Sequence, residues 1–249
     1  MDYRVELQDD IYTFTINRPN KRNAISLSVL QGLKQTIAEI KSTPTVKMLI
    51  IKGEGEDAFC SGGDVEYFHQ FAKGEEIKPI FLEAAAILFD LATCPILTIA
   101  DLEGHTLGGG AELAAACDLR ILRKGSKVAW IQGRIGISTG WGGANLLFER
   151  VNKPYAMKWL TSTKVITEED LIHSGFIQHI YEDSKERNEI IANYKQQHVE
   201  VIRSYKATLV DGLHSHLVVN MKKEVERCSM LWENPTHMEA VEHFLSKKQ

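Results

Sequence analysis

The chain has 249 residues, room for one large domain or for one domain with a small appendage. Its residues are 44% hydrophobic and 25% charged, ordinary values for a globular protein. A formal net charge of -4 provides no broad basic surface, which argues against nucleic acid or a membrane as partner and leaves open a small anionic ligand met by a few local Lys and Arg.

Met1 to Glu6 carries acid early and lacks the apolar core of a signal peptide. Tyr3 to Leu7 and Ile11 to Ile16 alternate around Gln8-Asp9-Asp10 and predict a hairpin. Asn17 to Asn23 is a polar loop containing Pro19. Ser26 is placed to cap a helix to about Ser42, with Leu27, Leu30, Leu33, Ile37 and Ile40 on one face. Val46 to Ile51 predicts a short buried strand, followed by the glycine loop Ser61-Gly62-Gly63-Asp64 and a helical stretch. Ile80 to Leu91 is helical by period, Pro95 stops it, and Ile96 to Ala100 is the next strand, ahead of Gly108-Gly109-Gly110. Strands alternating with helices predict an α/β fold with a largely parallel sheet. Past about residue 185 the strand signals vanish, and helices are expected at about 185–210, 213–231 and 236–246. The domain reading is therefore a core over 1–190 and a helical subdomain over 191–249.

Cys60, Cys94, Cys117 and Cys228 show no CxxC or Cys/His spacing, so no metal site is expected. They read as reduced thiols of a cytoplasmic protein. Runs such as Ile96 to Ala100 are far too short to span a bilayer.

Two strand-loop-helix junctions share one design, the first ending in Ala58-Phe59-Cys60-Ser61-Gly62-Gly63-Asp64 and the second in Gly104 to Glu112. Glycine lets a ligand approach the backbone, and unpaired N–H groups at a helix start favour negative charge. Two such amides aimed at one point would form an oxyanion hole. Either loop alone reads more simply as plain turn chemistry.

Together with Asn17-Arg18-Pro19, Arg22-Asn23-Ala24, Leu107 to Leu113 and Cys117-Asp118, the loops occur in an order and spacing that resemble the crotonase (enoyl-CoA hydratase/isomerase) superfamily over essentially the whole chain. The resemblance implies a crotonase-like spiral of ββα/βαβ turns with a helical C-terminal trimerisation subdomain, and self-association as a homotrimer or hexamer. It implies an acyl-CoA thioester substrate, with coenzyme A part of that substrate and no separate cofactor. Gly63 and Gly109 would supply the oxyanion amides. Arg22, Ser61 and Gly62 would meet CoA. Phe244 and Lys247 would reach the nucleotide of a neighbouring subunit, the plain alternatives being helix packing and a solvated tail charge. Glu112 matches the family's first catalytic glutamate, and Asp64 and Asp118 read as structural ties.

The sequence departs from the pattern at one point. Where hydratases carry a second glutamate after a proline, counting back from Gly136 gives Gln132, after Ile131, and Thr139 replaces a further proline. Gln exchanges no proton at neutral pH. Two-glutamate hydration and isomerisation are thus disfavoured, although a single-glutamate hydratase/isomerase-family enzyme could retain slow hydration with Gln132 positioning the water. Decarboxylation of a malonyl-type thioester needs only the oxyanion hole and one proton donor, Glu112 or a water held by Gln132. The stretches Gly108 to Glu112 and Gly136 to Gly143 also resemble ethylmalonyl-CoA decarboxylase-type members. A non-catalytic acyl-CoA-binding relative remains the alternative from another class.

Overall fold

The computed structural model describes residues 1–71 and 73–246, less the side chains of residues 213–215, 244 and 245. Lys247 and the side chain of Phe244, both expected at a CoA site, lie outside the described residues.

The expected hairpin is present. β1 (Tyr3–Gln8) and β2 (Ile11–Ile16) pair antiparallel across Asp9 and Asp10. Both aspartates are left-handed, with φ of 52° and 63°, the backbone that a two-residue primed turn requires. The buried runs follow as β3 (Met48–Gly53) and β5 (Leu97–Leu102), and β7 (Leu119–Arg123) and β9 (His179–Tyr181) complete one sheet. Its order is β1-β2-β3-β5-β7-β9, parallel from β2 onward. Near-continuous apolar strands fit a parallel sheet covered on both faces.

A second sheet was not expected. It comprises β4 (Ala58–Cys60), β6 (His105–Leu107) and β8 (Lys127–Ala129), parallel and in that order. Each glycine junction therefore contains a short extra strand between its main-sheet strand and its helix. The pairing of β4 with β6 brings the two glycine loops side by side.

Ser26 caps α1 (Leu27–Ser42), its Oγ accepting from Val29 N at 3.3 Å. α2 (Val65–Phe68) follows the first glycine loop. α3 (Gly74–Ala92) starts a turn and a half ahead of the expected Ile80 and contains Pro79. α4 (Gly109–Ala116) begins within the glycine triplet. α5 (Gly143–Arg150), α6 (Lys153–Ser162) and α7 (Glu168–His173) lead to β9.

The C-terminal helices divide differently from the sequence reading. α8 (Ser184–Lys195) ends well before 210, and α9 (Val199–Trp232) is one uninterrupted helix of 34 residues. α10 (Pro235–Ser246) lies as expected. The boundary expected at 190/191 falls inside α8, whose Ile191 packs with Met48, Ile50, Ile99 and Ile121 of the sheet. From α9, Leu217, Met221, Val225, Cys228 and Trp232 enter the main core beside Phe81 and Trp141. A buried ion pair seats this helix on the sheet: Lys206 Nζ lies 2.5 Å from Asp118 Oδ1. Asp118 Oδ2 also accepts Thr98 N at 2.9 Å, the tie expected of it.

Candidate active site

The polar loop after β2 is built to hold the first glycine loop. Asn23 is buried and left-handed, and its Nδ2 donates to Ala58 O at 2.6 Å and Glu54 O at 3.0 Å. Arg22 O accepts Ser61 N at 3.0 Å, and Ile25 N donates to Gly62 O at 2.8 Å. Asp64 caps α2 and meets Arg18 at 2.7 Å. Burial pushes the Asp64 carboxyl up, but Arg18 and Lys21 outweigh it and hold it below its ordinary value.

The second loop needs its glycines for three separate reasons. Gly108 has φ 55° and ψ -119°, open only to glycine. A β-carbon on Gly109 would lie 2.5 Å from the Trp141 ring, and one on Gly110 would collide with Cys60 O. The loops meet at Gly62, φ 107°, where a β-carbon would sit 3.2 Å from Gly109 N. Gly63 also faces Trp141, whose ring would stand 3.3 Å from a β-carbon there.

Ser61, Gly62, Gly63, Gly109, Glu112 and Gln132 share the wall of one cavity of ≈ 320 Å³. The rest of the wall is largely apolar, with Phe68, Phe81, Ile131, Ile137 and Trp141 prominent. The side chain of Arg22 is exposed and outside that wall; its backbone carbonyl joins the site through Ser61. His105 sits in β6, away from the cavity. Trp130 is fully buried in the core and off the wall. Two wall residues, Cys228 and Trp232, come from α9, which the sequence reading did not connect to the site.

Glu112 is 2% exposed. Its carboxylate does not serve its own helix. Oε2 accepts Trp141 N at 2.9 Å and Gly143 N at 3.0 Å, at the start of α5, and Oε1 accepts Gln132 Nε2 at 2.9 Å. Gly143 must be glycine, because a β-carbon would run into Glu112 Cγ. Burial, with the Glu224 carboxylate behind it, pushes Glu112 up to about 8, although the amide donors pull the other way. A carboxyl that holds its proton near neutral pH can act as a general acid.

The cysteines offer no competing nucleophile. All four are free and buried, and burial pushes Cys60 and Cys117 up to about 12. Among the described residues no group of three or more His, Cys, Asp or Glu gathers to hold a metal ion. No described helix is long and apolar enough to cross a membrane.

An α/β chain whose glycine loops and buried glutamate converge on one apolar cavity has the architecture of the crotonase superfamily. The enoyl-CoA hydratase/isomerase family model matches residues 6–249, and the chain belongs to that family. Among curated relatives, the ethylmalonyl-CoA decarboxylase of Xenopus laevis is 27% identical over 238 residues, covering 94% of this chain and 79% of that one. The human protein of the same name is 26% identical over 246 residues, covering 95% and 80%. An enoyl-CoA hydratase structure from Bacillus halodurans superposes with a TM-score of 0.90 at 23% identity, over 98% of this chain and 100% of that one. One from Mycobacterium avium subsp. paratuberculosis K-10 gives 0.88 at 21%, over 97% and 98%. At that identity the two structures establish the fold.

Proposed function

We propose that the chain is a lyase that decarboxylates a malonyl-type acyl-CoA thioester, such as a methylmalonyl or ethylmalonyl ester, using one glutamate. One observation carries the reading: Gln132, an amide, is hydrogen-bonded to Glu112 on the cavity wall, at the position where water addition to an enoyl thioester would need a second carboxylate. The names of the curated relatives support it.

In this reading the thioester carbonyl oxygen sits between Gly63 N and Gly109 N. The bond from the α-carbon to its carboxylate breaks, and the electron pair moves into the thioester to give an enolate. CO2 leaves. Glu112 delivers its proton to the α-carbon and takes another from solvent, so each turnover consumes one proton. The apolar walls favour this direction. A carboxylate loses hydration among Phe68, Phe81 and Trp141, whereas neutral CO2 does not. Ser61 and Gly62 line the path of CoA, and Arg22, Phe244 and Lys247 are assigned to its charged end. Coenzyme A enters as part of the substrate and no further cofactor is invoked. The reading places a trimeric or hexameric enzyme in the cytoplasm, in fatty acid metabolism. Exposed Val201, Tyr205, Leu209 and Val219 on α9 are suited to contact between subunits.

The deciding experiment mixes pure protein separately with crotonyl-CoA and with methylmalonyl- and ethylmalonyl-CoA. CO2 release from the malonyl esters with little hydration is expected. Rapid hydration without CO2 overturns the reading, and binding of CoA esters without turnover of any points to the non-catalytic relative.

A further inference from the structure

Behind Glu112 lies a second buried carboxylate that no part of the proposed reaction uses. Glu224, on α9, is 5% exposed. Its Oε1 accepts Ala144 N at 3.0 Å and the Thr139 hydroxyl, and its Oε2 accepts Asn145 N at 3.0 Å and the Asn145 side-chain amide. Glu112 takes Trp141 N and Gly143 N. The start of α5 is therefore divided between two acids, which take the neighbouring amides 143 and 144.

A helix start offers roughly half a positive charge, which does not balance two full negative ones in a buried setting. Among the described residues neither carboxylate makes an ion pair. The other titratable or charged groups on this side are few. Cys228 of α9 keeps its proton through burial. Arg134, on the cavity wall, donates to Thr163 O. Glu149 and Arg150 stand at the far end of α5, and α3 presents Phe81. The pair thus favours one charge over two. The donors decide where that charge rests. Glu224 receives two backbone amides, a hydroxyl and a side-chain amide, whereas Glu112 receives two close backbone amides and the Gln132 side chain, with Gly140 N at a long 3.4 Å.

We infer that Glu224 is a positioning residue for Glu112: it keeps the negative charge at the start of α5, and so leaves Glu112 carrying a proton toward the cavity. The inference rests on the proposed role of Glu112 as the acid, and it names the device that would keep that acid loaded. Burial pushes Glu224 up as well, but its hydroxyl and amide donors pull it back, and the sign of the shift in Glu112 agrees, with Glu224 the second cause after burial.

The test is an infrared titration of the protonated-carboxyl band in substrate-free protein, the Glu112 band being assigned by its loss in E112Q. Removing the charge with E224Q lowers the Glu112 midpoint by about one pH unit or more. T139V withdraws the hydroxyl that steadies the Glu224 charge and shifts the midpoint the same way. It serves alone should E224Q fail to fold. E224D, which keeps a charge, stays nearer the parent. The alkaline limb of kcat for CO2 release moves in parallel. An unmoved Glu112 midpoint in the folded variants overturns the inference, whatever the activity. If the midpoint moves and no protein releases CO2, the decarboxylase reading fails and the Glu224 assignment stands.

Discussion

The side-chain amide of Gln132 donates to Glu112 Oε1 at 2.9 Å, and both residues line the same cavity. In the proposed reaction this contact is what disfavours water addition, because it fills the second position with a group that can orient but cannot titrate. Q132E is expected to raise hydration of crotonyl-CoA by about tenfold or more and to lower CO2 release, since the new carboxylate can hold water but also competes with Glu112 for the proton. Parallel assays of the two substrates check it. Unchanged hydration in folded Q132E would mean that this position does not control water.

Glu112 also ties pH to stability. The folded chain holds the Glu112 proton up to about 8, whereas the unfolded chain releases it near the ordinary 4.5. Both states are protonated below 4.5, so no stability is lost there. Between 4.5 and about 8 the unfolded state gains from ionisation and the folded state does not, so this group erodes stability as pH rises. E112Q cannot ionise and should flatten that slope. Thermal unfolding of both proteins from pH 5 to pH 8 checks it. Because Gln disturbs the amide contacts, the comparison is of slopes, not of melting temperatures at one pH. Parallel slopes would show that Glu112 is already ionised in the folded chain at neutral pH.

The aromatic wall should set the acyl size. Phe81 and Trp232 meet edge-on at 5.3 Å, Phe68 packs against Phe81 and Trp141, and Trp232 Nε1 is anchored on Phe71 O at 3.0 Å. Phe81 comes from α3, outside the two glycine loops, and its ring faces Gly140. F81A is expected to shift the kcat/KM preference toward longer α-substituents and to cost about 3–5 kcal/mol of stability through the space it leaves. A substrate series of increasing α-alkyl length, alongside denaturant unfolding, measures both. An unchanged ranking would place the acyl group elsewhere in the cavity.

Much of this was legible in the sequence, and the omissions have physical causes. The hairpin and α1 show strong periodicity, the two main buried strands are near-continuous apolar runs, and Gly62, Gly63 and Gly108 to Gly110 mark places where the backbone (Gly62, Gly108) or the space (Gly63, Gly109, Gly110) excludes a side chain. The second sheet was hidden because Ala58–Cys60, His105–Leu107 and Lys127–Ala129 are three-residue strands, too short for a period to register. α9 reads as two helices around Gly212, which has open space about it and weak helix propensity; packing on either side of it carries the helix through. Glu224 was masked by its neighbours, since Lys222-Lys223-Glu224-Val225-Glu226-Arg227 looks like a solvated face. Its one signal is spacing: it falls on the stripe of Leu217, Met221 and Cys228, where an acid is out of place. Cys228 and Trp232 reach the cavity from about a hundred residues beyond Gln132, a proximity that only tertiary packing creates.

The same long helix depends on the contact between Lys206 and Asp118. Both side chains are nearly buried, at 6% and 9% exposure, and Asp118 also holds Thr98 at the start of β5. Removing only the cation leaves a buried carboxylate whose remaining donors are the Thr98 amide and hydroxyl. K206M is therefore expected to cost about 3–5 kcal/mol. Replacing both partners, as K206M with D118N, should recover part of that loss, because no uncompensated charge remains. Denaturant unfolding of the parent, both single variants and the double variant measures the coupling. α9 carries Glu224, Cys228 and Trp232, so a loosened Lys206 contact should also reach the cavity and reduce turnover in K206M. If K206M matches the parent in stability, the pair does not seat α9, and the alignment of its cavity residues must come from the apolar stripe alone.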